Sequence, residues 1–159
     1  MSYYKDKKNS YKQPTEVDTS KDHRVKSVEE ALANWMEHGL DEKAVKTIES
    51  FGKYLAEAEM SSSQFRNFYG KVRSLKARHF GEAGNTVSPQ DRRDFIMLRP
   101  MLKYAVARMK GDGLKYFAEQ MDKALIAVGS HYHQFPHFVD FLEATLAYHK
   151  FYAKPKLTA

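Results

Sequence analysis

From Ser27 to Tyr152 the apolar positions recur at three- and four-residue steps and never settle into alternation. That period belongs to helices with one buried stripe, not to half-buried strands. The punctuation agrees. Ser27 with Glu30 reads as a capping box, and Gly39 closes the segment after Trp35 and Met36. Asp41 is placed to cap a second helix, through Val45, Ile48, Tyr54 and Leu55 to about Ala58. Ser61 with Gln64 is a second capping box, opening a helix with Phe65, Phe68, Val72 and Leu75 on one face. Gly81 to Val87 reads as a loop. Ser88-Pro89 with Asp91 starts a fourth helix, which runs to Lys110 and stops at Gly111-Asp112-Gly113. Its core face is Phe95, Leu98, Leu102, Ala105 and Met109. A fifth spans Leu114 to about Val128 and ends at Gly129. After a short loop from His131 to Phe135, Pro136 fits the first turn of a sixth, ending near Tyr152.

Pro100 breaks this regularity. It falls inside the fourth helix, where it removes a hydrogen bond and predicts a kink near Ile96. The expected fold is all-α: a compact antiparallel bundle of about five to six helices, one domain over residues 26–159. Residues 1–25 are Lys-, Ser- and Tyr-rich without periodicity and read as a disordered basic tail.

Charge sharpens the picture. Lys and Arg number 26 against 20 Asp and Glu, a formal net charge of +6, with a pI near 9.3. RNA, DNA and an anionic membrane surface are all partners that such a chain suits. The distribution is more telling than the sum. Arg92, Arg99, Lys103 and Lys110 return to one side of the fourth helix, and Arg108 points elsewhere, nearer Tyr104. On the third helix Arg66 and Arg73 stand seven apart with Gly70 and Ala77 beside them, and Lys71 and Arg78 form a second such pair. Like charges stacked on one face repel by a few tenths of a kcal/mol per neighbouring pair. A polyanion that releases its counterions offsets that repulsion. A solvated face explains one such line; two helices carrying lines favour binding. The candidate RNA-binding residues are therefore Arg66, Lys71, Arg73, Arg78, Arg99, Lys103 and Arg108. Tyr104 and Tyr148 read as core residues rather than as surfaces for stacking bases.

Catalytic chemistry finds little support. With no cysteine in the chain, disulfides, zinc ribbons, iron–sulfur clusters and thiol nucleophiles are excluded. His131, His133 and His137 have a spacing that metal sites use, but no acid stands near them before Asp140, and the segment also reads as a loop entering a helix. His149 reads as a packing or surface histidine. Glu143 reads as structural, paired with Lys150 or Arg108. There is no phosphate-cradling glycine loop and no nucleophile elbow. The expectation is a non-enzyme with no cofactor and no metal. The start, MSYYKDKKNSYKQ, has no apolar signal core, and the longest aliphatic run, Ala124 to Val128, is too short for a bilayer, so a cytoplasmic protein is expected.

Three segments together carry a resemblance: Ser63-Gln64-Phe65-Arg66-Asn67-Phe68-Tyr69, then Leu98-Arg99-Pro100-Met101-Leu102-Lys103-Tyr104-Ala105-Val106-Ala107-Arg108, then Phe138-Val139-Asp140-Phe141-Leu142-Glu143-Ala144-Thr145-Leu146-Ala147-Tyr148-His149-Lys150. In order and spacing the chain resembles the small subunit of the type III-A CRISPR–Cas effector, the Csm complex, over roughly residues 60–150. The resemblance implies a compact helical bundle, several copies of which stack as an inner filament beside the backbone subunits. These copies contact the backbone of the guide RNA–target RNA duplex without reading sequence. It implies further that target cleavage belongs to the backbone subunit, and DNA cleavage and cyclic-oligoadenylate synthesis to the large polymerase-like subunit. Arg66, Arg99 and Arg108 lie within the matching segments. Lys71, Arg73, Arg78 and Lys103 come from periodicity alone. The competing expectation is a basic helical adaptor for an acidic protein partner.

Overall fold

The computed structural model describes residues 21–153; most of the basic tail lies outside them. Seven helices follow in chain order among the described residues: α1 His23–His38, α2 Glu42–Glu57, α3 Arg66–Ala77, α4 Pro89–Ile96, α5 Leu98–Arg108, α6 Asp112–Val128 and α7 Phe135–Tyr152. Short 3-10 turns, Ser62–Phe65 and Tyr132–Gln134, lead into α3 and α7. No strand occurs among the described residues. The all-α expectation holds, with one more helix than the periodicity predicts.

Several starts and stops fall where local chemistry puts them. Asp41 accepts from the Ala44 amide at 2.8 Å. The Ser61–Gln64 capping box forms in both directions, although it opens the 3-10 turn rather than α3 directly. Ser88 accepts from the Asp91 amide ahead of Pro89. Gly129, at φ 53, ends α6. The first start differs. Asp22, not Ser27, caps α1, accepting from the Arg24 amide. Ser27 lies within the helix, its hydroxyl donating to the His23 carbonyl at 2.8 Å. Starting the helix at His23 lets Val25 and Val28 both reach full burial. The bundle thus begins ahead of the expected boundary at residue 26. On α2, Ile48 and Leu55 are fully buried while Val45 is exposed.

The predicted kink is a break. Met97 ends α4, its amide donating to the Arg93 carbonyl at 3.0 Å, and the Met101 amide then donates to the Met97 carbonyl. Dividing the chain here puts Pro100 in the first turn of α5, where a missing N–H costs nothing.

The core is one continuous cluster with phenylalanines throughout. The most extensive contact is between α2 and α7. Tyr152 reaches Glu49, while Tyr148 lies against Gly52, so the two helices run antiparallel. A Cβ at Gly52 would lie 2.6 Å from Tyr148 Cβ and 2.9 Å from the His149 amide nitrogen; the absent side chain sets how close α7 comes. His149 is buried, and its Nε2 donates to the Met60 carbonyl at 2.6 Å. At the other end, Phe80, Phe95, Tyr132 and Phe135 pack with ring centroids 5.0 to 5.8 Å apart. That cluster fixes the end of α4 and so sets where α5 begins.

Candidate nucleic-acid interface

α5 is a ridge with grooves on both flanks, and Pro100 lines both. One groove, about 450 Å³, lies between α5 and the start of α3. The other, about 540 Å³, lies between α5 and α6. The helical period distributes α5 between them. Leu98 and Leu102 go to the core. Met97, Met101, Tyr104 and Arg108, at steps of four, three and four, face the α3 side. Ile96, Arg99 and Lys103 face the α6 side.

The predicted cations divide into two sets. Arg78 and Arg99 have carboxylate partners. The Arg78 guanidinium donates to Asp91 and, at 2.8 Å, to Asp94, which ties the end of α3 to α4. Arg99 Nε donates to Asp122 Oδ1 at 2.8 Å, tying α5 to α6. Hydrogen bonding to Asp94 raises the Arg78 pKa and hydrogen bonding to Asp122 raises that of Arg99, and Arg78 in turn draws the Asp94 carboxyl below its ordinary value. Arg66, Lys71, Arg73, Lys103 and Arg108 are exposed, and none has an ion-pair partner among the described residues. Arg73 lies over the Tyr69 ring, 5.7 Å from its centroid. Arg108 lies over Tyr104 at 5.5 Å. Such cation–π contacts hold a guanidinium in place without neutralising it.

The structure brings Arg66 and Arg108 to one groove and places Lys103 on the opposite flank of α5. Arg66, Gly70 and Arg73 form an exposed strip along α3. Nothing lies within 4 Å of where a Gly70 Cβ would stand. Sequence reasoning placed Tyr104 and Met109 in the core, yet they are 63% and 40% exposed. The available signal is the spacing: two residues past Leu102, Tyr104 is about 200° around the helix from the core stripe. Glu143 pairs with Lys76 at 2.9 Å rather than with Lys150 or Arg108.

The histidines do not converge. The His131 and His133 rings are 5.9 Å apart, while His137 turns its Nδ1 to donate to the Met36 carbonyl at 2.6 Å. No group of three metal-ligating side chains occurs among the described residues. No described helix is long and apolar enough to cross a membrane.

Fold and surface define a small, basic, all-helical subunit whose distinguishing feature is an exposed cationic face. The family model for Csm2 Type III-A matches residues 40–155, from just after α1 to the end of α7, and the chain belongs to that family. It is thus a subunit of a type III-A CRISPR effector, the multi-subunit Csm complex, and the family is a structural small subunit that is generally non-catalytic. Neither the curated proteins nor the solved structures give a match.

Proposed function

We propose that this chain is a non-catalytic, RNA-binding scaffold of the type III-A interference complex, working in the cytoplasm. Copies of it stack as an inner filament and contact the backbone of the guide RNA–target RNA duplex. The observation that carries this reading is the cationic face of α3 and α5, where Arg66, Arg73 and Arg108 stand exposed and without carboxylate partners. The protein does have acids to place: Asp22 and Glu57 hold Arg24, Asp91 and Asp94 hold Arg78, and Asp122 holds Arg99. Sequence in such a complex is read by base pairing, so protein contacts fall on phosphates and sugars. That task needs unpaired cations and no catalytic constellation.

A second reading draws on the α5–α6 groove. There Ile96 and Ile126 are exposed beside the Arg99–Asp122 pair, an apolar floor with few free charges that suits a protein neighbour better than a phosphate chain. The two grooves then divide the work, RNA on the α3 side and a neighbouring subunit or copy on the α6 side. An acidic protein partner in place of RNA is the competing outcome.

The test is binding of a labelled RNA duplex by the full chain across a salt series. Four to six engaged phosphates give a log–log slope of roughly −3 to −5. A flat salt dependence, or binding that an acidic peptide takes over fully, overturns the proposal.

A further inference from the structure

The groove between α3 and α5 has features that contact with a duplex backbone does not call for. One wall is the stripe Met97, Met101, Tyr104 and Arg108, which runs from the α4–α5 junction along α5, and Arg66 and Asn67 stand opposite on α3. Within this stripe Met101 packs partly against the core, while Tyr104 and Met97 are both at least half exposed. No carboxylate lines the groove. The Asn67 amide makes no hydrogen bond to another described residue, and Gln64, also in the lining, uses its side-chain oxygen on the Ser61 amide and leaves its Nε2 without a partner among the described residues. A volume near 450 Å³ falls in the range of small-ligand clefts, about 300–1,000 Å³.

These features combine an aromatic face, a polarizable apolar wall, amide groups and two cations with nothing to neutralise them. A paired RNA helix presents phosphates and sugars but turns no aromatic face outward. An unpaired nucleotide presents both a π-face and an anion. We propose that this groove receives an unpaired RNA base, with Tyr104 as its stacking surface and Arg66 and Arg108 at the flanking phosphates. Arg108, lying over Tyr104 at 5.5 Å, restrains the ring and adds a second flat cationic surface. Asn67 and Gln64 can meet the edge of any base, so the site accepts a base without selecting one. The proposal rests on the RNA-binding reading and adds a preference for interrupted over continuous pairing.

The experiment compares two RNA duplexes of equal length, one fully paired and one with a single bulged 5-iodouridine, binding to the full chain at fixed salt. The expected result is about tenfold tighter binding of the bulged duplex, within the range that base–aromatic stacking supplies, and a photocrosslink that mass spectrometry maps to Tyr104. Tyr104→Ala should abolish the preference and the crosslink, while Tyr104→Phe keeps the preference. Both variants should leave the melting temperature unchanged, and Tyr104→Phe, which keeps a ring beneath Arg108, should leave the affinity for the fully paired duplex within about twofold of the parent. Equal affinity for the two duplexes with no effect of Tyr104→Ala overturns this inference and leaves backbone binding standing. Binding of neither RNA overturns both. An acidic peptide that binds in a Tyr104-dependent way while RNA does not assigns the groove to a protein and overturns it as well.

Discussion

Where α2 meets α7, the chain closes on itself. Gly52 lets Tyr148 and His149 come into contact distance, the buried His149 donates to the Met60 carbonyl, and Tyr152 reaches Glu49. Across the molecule, α3 and α5 stay apart enough to leave a groove, and Arg66, Arg73 and Arg108 stand over it or beside it without carboxylates. A glycine lies on each surface, with opposite surroundings: a Cβ at Gly52 would collide with α7, and one at Gly70 would meet nothing. The contrast separates residues that the fold itself requires from residues whose presence the fold does not explain. Only the second kind points outward to a partner.

Breaking the seam should have the largest effect. Gly52→Ala places a methyl group inside contact distance of backbone as well as side chain, and overpacking of this kind costs roughly 1–3 kcal/mol. Urea denaturation should show a loss toward the upper end of that range. Unchanged stability would mean that α7 shifts freely on α2. On the face, the pair Arg66→Glu with Arg73→Glu should lower duplex RNA affinity by about tenfold or more and reduce the salt slope by roughly 2, with the melting temperature held. An unaltered slope removes that strip from the RNA surface. Arg78→Gln should behave like a seam residue despite lying on α3: a modest loss of stability and little change in slope. Its pH behaviour adds a check. Arg78 holds the Asp94 carboxyl below its ordinary value, so its contribution is present above pH about 4. It is lost as pH falls through the lowered folded value. Arg78→Gln should flatten the acid limb of the stability curve; if that limb is unchanged, the ion pair contributes nothing there.

Much of this fold was legible because its signals are local. Asp41, the Ser61–Gln64 box and Gly129 act within a turn of themselves, and Pro100 placed its break to within a residue of Ile96. Asp22 and Ser27 are both good caps, and only the burial of Val25 decides between them, which is a tertiary fact. The candidate site was harder to read for the same reason. Periodicity shows which cations share a face of their own helix, but Asp122 reaches Arg99 from α6, and Asp91 and Asp94 reach Arg78 from α4. No stripe on a single helix reveals a partner that arrives from another. Tyr104 was misassigned because an aromatic in a helix usually packs inward; its angle from Leu102 already pointed out.

Gly70 offers the finest division between the two regions. A glycine in a helix interior costs about 0.5–1 kcal/mol relative to alanine, and this one sits on an exposed strip with no atom near its missing Cβ. The fold gains nothing from it. Between Arg66 and Arg73, however, it leaves the strip low enough for a sugar–phosphate backbone to lie against the helix. Gly70→Ala should therefore raise stability by a few tenths to one kcal/mol in urea denaturation while weakening duplex RNA binding by about two- to threefold, without altering the salt slope, since no cation is lost. A gain in stability with unchanged affinity would mean that the RNA contacts the arginines at arm's length. A loss of both would mean that α3 packs against something the helix bundle itself supplies, and the strip would then belong with the seam rather than with the face.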